Sequence, residues 1–209
     1  FLKYDQPQTE KYVYCPVYSG NETSYLVNDH YWATNQMSLI KEIALSLPTG
    51  VYLYVKEHPT NPGDLTFTQL RKLSRISNIR VLKPQLNSES LIKNSCSVIV
   101  LLGTTGWEAF LNKVPVISIG ESFFSYSNLT YKVTRPSDLS KVLWSAIKNG
   151  KSRYTNNENE WAWFIHSVVK TSGLGKSVLL THPYGFPTDE KNAEKVAKFI
   201  YTTMENRTS

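Results

Sequence analysis

The chain has 209 residues, of which 41% are hydrophobic and 19% charged, and its formal net charge is +6. That length can bury a sizeable core, and that balance excludes a disordered polypeptide. No apolar run approaches the roughly 20 residues that a membrane span needs, and no signal-peptide pattern opens the sequence.

Opening on Phe1 rather than Met, the sequence reads as a piece of a longer chain. A positive balance suits nucleic acid, an anionic membrane surface or an anionic small substrate. The lysines are scattered and no nucleic-acid motif is present, so a solvated basic surface is the first reading. Peripheral association with an anionic membrane is the second. Cys15 and Cys96 both lie in apolar runs, which favours buried free thiols and a cytoplasmic setting over one disulfide. Sequons at Asn21, Asn128 and Asn206 weigh the other way, but such triplets arise by chance in a chain rich in Asn, Ser and Thr.

Taken in chain order, β-rich runs fall at 12–17 (YVYCPV), 51–57 (VYLYVKE), 79–82 (IRVL), 97–102 (SVIVLL) and 115–119 (PVISI). Helical patterns occupy 33–47, 65–76, 87–95 and 105–112 between them. Alternation of this kind predicts right-handed βαβ units and an α/β, Rossmann-like doubly wound sheet, mainly parallel, with helices on both faces. The run 97–102 is apolar throughout, as a central parallel strand must be. A short β-like stretch at 130–134 precedes Pro136-Ser137-Asp138, which predicts a helix to about Asn149. The polar segment 150–160 reads as a loop. An aromatic helix at 160–170, a loop over 171–188 and an amphipathic helix at 189–204 follow. No repeat or linker divides the chain, so one domain is expected over 1–209. Its core spans about 11–150, with a helical extension over about 151–209.

Three blocks carry chemistry. In "YVKEHP", 54–59, His58-Pro59 ends a strand, and the carboxyl ends of parallel strands are the ligand side of an open sheet. His58 can donate to a phosphate, Pro59 stiffens the turn, and Lys56 shares a face with His58 by the two-residue period. Capping of the strand is the plainer reading of His58. In Gly103-Thr104-Thr105-Gly106 the glycines admit close backbone approach, and the following helix points its positive end at the same place, so an anion is the natural guest. Glu108, in about the first turn, is either an acceptor for ribose hydroxyls or a dipole-stabilising carboxylate. In "IGESFFS", 119–125, Glu121 and Ser122 can meet a base or sugar, while Phe123 and Phe124 read as packing.

"SGLGKS" at 172–177 lacks the first glycine of a P-loop, His182 reads as structural, and the histidines and cysteines lack the spacing of a metal site. No G-x-S-x-G elbow supports acyl transfer.

Together "KYVYCPVYSGNE", "YLYVKEHP" and "LIKNSCSVIVLLGTTGWEAFLNKVPVISIGESFF" resemble the capsule polysaccharide biosynthesis proteins, transferases related to the Kdo and sialic-acid enzymes of GT-B architecture. The likeness covers roughly 11–125 and fades beyond Ser125. It implies one half of a GT-B enzyme, a glycosyltransferase domain that binds a nucleotide-sugar donor, typically CMP-linked, with no metal cofactor. By resemblance Lys56, His58 and Pro59 hold the nucleotide, with His58 stabilising the phosphate leaving group. Gly103, Thr104, Thr105, Gly106 and Glu108 form the second part of the site. The partners implied are the donor, a glycan acceptor and an N-terminal domain that supplies the catalytic base. The location implied is cytoplasmic, peripheral at the inner face of the membrane. The sequence departs from the family at Pro16-Val17-Tyr18 and Ser19-Gly20-Asn21-Glu22, where a histidine and a proline are missing. Two other functions fit the residues: a non-catalytic recognition or scaffold module using Trp161, Trp163 and Phe164, and a UDP-sugar epimerase-like enzyme.

Overall fold

A computed structural model describes residues 4–18, 35–58, 63–173, 194–199 and 202. Pro59, the block 19–22, the Gly175-Lys176-Ser177 run, His182 and most of the helix expected at 189–204 lie outside the described residues. The chain divides into two compact units, Phe1–Glu158 and Asn159–Ser209.

The first unit is built on six strands: β1 (Lys11–Pro16), β2 (Val51–Lys56), β3 (Ile79–Leu82), β4 (Ser97–Val100), β5 (Val116–Ser118) and β6 (Tyr131–Lys132). Every pairing is parallel, and the order is β3-β2-β1-β4-β5-β6. The sheet therefore grows outward in both directions from β1 and β4. This is the Rossmann-like, doubly wound arrangement that the alternating pattern predicts, and its switch point lies between β1 and β4. Val13 pairs with Ser97 and Tyr14 with Val98 across that junction.

Helices cover both faces because parallel neighbours need long crossovers of one hand. On one face Val13 and Cys15 share a core with Leu39, Ile40 and Ile43 of α1 (Gln36–Ser46). Leu70 and Leu73 of α2 (Phe67–Leu73) join the same core, as do Leu139, Leu143 and Ala146 of α5 (Leu139–Asn156). On the other face Tyr12 donates its hydroxyl to the Leu91 carbonyl of α3 (Ser88–Asn94) at 2.7 Å. There α4 (Thr104–Leu111) lies against Val100. Tyr12 and Tyr54 stack at 3.9 Å between centroids on neighbouring strands. All four residues of β4 are buried, as the continuous apolar run requires.

The segment 150–160 corrects the loop expectation. Helix α5 runs through Gly150 to Asn156, and α6 (Glu158–Thr171) begins after Asn157. Tertiary packing overrides the polar composition here. A Cβ on Gly150 would sit 2.2 Å from Cγ of Pro115, so only glycine lets the helix pass. Tyr154, 1% exposed, then meets Phe110 edge-to-face at 5.7 Å.

In the second unit α6 has no buried residue. Trp163 is 69% exposed rather than packed, and Trp161 and Phe164 are half-buried. Residues 194–199 are helical. No described helix is long and apolar enough to cross a membrane. Cys15 is buried, Cys96 is half-buried, and both thiols are free.

Candidate functional site

The three chemical blocks lie along one rim, the carboxyl edge of the sheet, and the backbone fixes their order. Val17 donates its N–H to the Lys56 carbonyl at 2.9 Å, which sets the end of β1 beside Glu57 and His58. The Leu101 N–H donates to the hydroxyl oxygen of Tyr18, which ties the end of β1 to the end of β4 across the switch point. Gly120 donates its N–H to the Leu101 carbonyl at 2.9 Å, so Glu121 follows beside the Gly-Thr turn. These bonds extend the ladder past the named strand ends and carry it from the His58 block to Glu121.

Strands β2 and β4 are not neighbours, because β1 stands between them. Two strand spacings of about 4.8 Å place their ends roughly 10 Å apart. The length of an imidazole side chain, a hydrogen bond and a phosphate group together can span such a gap. Tyr18 fills the interval. The sequence marks Tyr18 only as a departure; its contact with β4 is visible only once the strand order is known.

The β2 end is occupied largely by structural contacts. Lys56 is 2% exposed and its ammonium donates to the Pro84 carbonyl at 3.1 Å. Burial holds its pKa below the ordinary lysine value. Glu57, which the motif reading passed over, is 4% exposed. Its Oε1 accepts from the N–H groups of Gly63 and Leu65, each at 3.1 Å. His58 is exposed at the rim.

The β4 end differs. Helices α1, α2 and α3 each start with a side-chain cap, from Asn35, Thr66 and Asn87 respectively. Helix α4 starts at Gly103 with no side-chain cap, so no side chain covers the amides of Thr104, Thr105 and Gly106 from that position. Gly103 has φ +100° and ψ 169°, a region essentially reserved for glycine. Gly103 and Thr104 are exposed and Thr105 half-buried. Gly106 is buried, and a Cβ there would come 2.6 Å from Phe124 Cζ and 2.9 Å from Val100 Cγ2. Its side-chain-free α carbon thus serves helix–sheet packing, whatever its amide binds.

Glu108 lies in the second turn of α4, and the first turn carries no acidic residue. The dipole reading of this carboxylate therefore loses its basis, since the effect fades within the first turn. Partial burial, and then the carboxylate of Glu89, hold the Glu108 pKa above the usual range. Glu121 is exposed, and its Oε2 accepts from the Tyr126 hydroxyl at 3.4 Å. Ser122 is half-buried; its N–H donates to Ser125 Oγ at 3.2 Å and its carbonyl accepts from the same hydroxyl at 2.7 Å. Among the described residues no three His, Cys, Asp or Glu side chains gather as a metal site would need.

Three solved structures are similar to this chain. The beta-Kdo 2,7 transferase KpsC of Thermosulfurimonas dismutans is 22% identical, over 69% of this chain and 47% of that one, at a TM-score of 0.49. The UDP-GlcNAc 2-epimerase of Methanocaldococcus jannaschii is 18% identical, over 78% and 45%, at 0.49. TarM is 13% identical, over 81% and 37%, at 0.51. The chain thus spans less than half the length of each of these proteins. No curated protein sequence matches it. The model of the capsule polysaccharide biosynthesis proteins matches residues 27–142, from before α1 into the first turn of α5 and well past Ser125. With more than half of its length matched, the chain belongs to the capsule polysaccharide biosynthesis protein family.

Proposed function

We propose that this chain is the donor-binding half of a glycosyltransferase that builds capsule or another surface polysaccharide, and that its donor is a CMP-linked sugar. One observation carries the reading: the hydrogen-bonded rim from Lys56 through Tyr18 and Leu101 to Gly120, with an α4 start that has no side-chain cap at its centre. Amides at a helix start and an exposed imidazole two strands away suit the two sides of one nucleotide phosphate. In this reading the α4 amides hold the phosphate, Glu108 accepts from the ribose hydroxyls, and Glu121 and Ser122 face the base or sugar. His58 donates to the phosphate oxygens as the bond to the anomeric carbon breaks, where negative charge grows on the leaving group. Lys56 and Glu57 act by fixing the loops around His58. The attacking hydroxyl, the acceptor and the base that takes its proton belong to another domain, and no metal is needed.

Calorimetric titration with CMP, UDP and GDP tests the proposal. Saturable binding of CMP, tighter than of UDP or GDP, is expected. His58→Ala should weaken it by about tenfold, the scale of one charge-assisted contact. Absence of saturable binding by all three nucleotides removes the donor site, and a preference for UDP removes the CMP assignment alone.

A further inference from the structure

The two lateral edges of the sheet are finished differently. At β3 the N-terminal segment closes the edge: Asp5 bridges Leu82, its N–H donates to the Val81 carbonyl at 2.8 Å, and its carboxylate accepts from the Val81 N–H at 2.9 Å. At β6 no described segment continues the ladder. A groove of about 590 Å³ runs along this open flank, between the 126–130 connection, β6 and α5. Its size falls within the range of ligand sites.

Three cations line it: Lys132, Lys141 and Arg153. The one carboxylate, Asp138, is held by Arg135 at 3.2 Å, so the groove is left positive. Two of the cations are positioned by aromatic rings. The Lys132 ammonium stands 5.0 Å from the Tyr126 ring centroid, and the Arg153 guanidinium 4.6 Å from that of Tyr131. The Tyr126 ring is itself 68% exposed. An exposed ring with an ammonium over it matches a ligand that has both an apolar face and a carboxylate, and a sugar acid has both on one ring. The hydroxyl of Ser145 adds a polar partner on the α5 wall.

We propose that this groove binds a short acidic oligosaccharide at a place separate from the donor rim. The groove's lining shares no residue with the donor rim, and one link joins the two, the Tyr126 hydroxyl, which donates to Glu121 Oε2 at 3.4 Å. A site of this kind retains an anionic glycan on the domain. The assignment goes beyond the donor reading and does not depend on it.

The test uses the full chain, with tri-galacturonate as acidic probe, and maltotriose, inorganic phosphate and a single-stranded oligonucleotide as controls. Tri-galacturonate should bind saturably, and more weakly as salt rises. The double variant Lys132→Ala/Lys141→Ala, at two exposed positions, should lose at least about tenfold in affinity, and Lys132→Arg/Lys141→Arg should restore it. Nucleotide binding should be unchanged in both variants, and His58→Ala should leave tri-galacturonate binding untouched. The proposal is overturned by unsaturable binding, by a double variant that binds as well as the parent, by phosphate binding as tightly as the trisaccharide, or by tighter binding of the oligonucleotide. Loss of nucleotide binding with tri-galacturonate binding intact would instead strike the donor site alone.

Discussion

The ends of β2 and β4 lie on the same rim and are built on opposite plans. At β2 the chain places two charged side chains, Lys56 and Glu57, and buries both against backbone groups of following loops. At β4 it places no charged side chain before Glu108, and its polar groups are amides at a helix start. The stretch richer in functional-looking side chains is therefore the one more committed to scaffolding. Buried charges must be paired, so a lysine and a glutamate in a strand end that turns inward are already engaged. Glycine and threonine at a helix start leave the backbone accessible.

Substitutions that weaken one strand end and spare the other sharpen this contrast. The largest expected loss is at Glu57→Ala. Removing the carboxylate orphans the amides of Gly63 and Leu65 and leaves a void, at about 3 kcal/mol of stability in urea melts. Gly106→Ala should cost about 2 kcal/mol, because its methyl group must displace Phe124 or Val100, both essentially buried. Tyr18→Phe should follow at about 1 kcal/mol. It strips the acceptor from the Leu101 N–H, and Leu101 is 2% exposed. A melt of Glu57→Ala indistinguishable from the parent would break the scaffold reading of the β2 end.

The same physics decides what could be read without coordinates. Strand and helix alternation was legible because each crossover buries one apolar face, and SVIVLL can only be a strand covered on both sides. The rim was legible as three blocks, since each follows a strand and carries turn residues. Its order was not: nothing local in 97–102 states that β4 pairs with β1 rather than β2, so the His58 and Gly103 blocks look adjacent when β1 separates them. Glu57 escaped because a carboxylate beside a His-Pro pair looks solvated until Gly63 and Leu65 are seen folding back onto it. The helix through 150–156 escaped because Gly150 and a polar run resemble a stop, whereas contact with Pro115 is what demands that glycine.

Gly103→Ala should cost no more stability than Tyr18→Phe and separates folding from binding most cleanly. Nothing lies within 4 Å of the position its Cβ would take, so no packing term opposes the methyl group. The cost comes from φ +100° alone. At an exposed turn the backbone can relax toward negative φ, which limits the loss to about 1 kcal/mol. That relaxation is what the donor site cannot absorb, because Gly103 aims the first amides of α4. Nucleotide affinity should fall by about tenfold or more while the urea midpoint moves little. If the affinity holds and only the melt shifts, the α4 amides are not the phosphate cradle. If the melt shifts as far as it does for Glu57→Ala, the β4 end is scaffold too and the contrast between the two strand ends is lost.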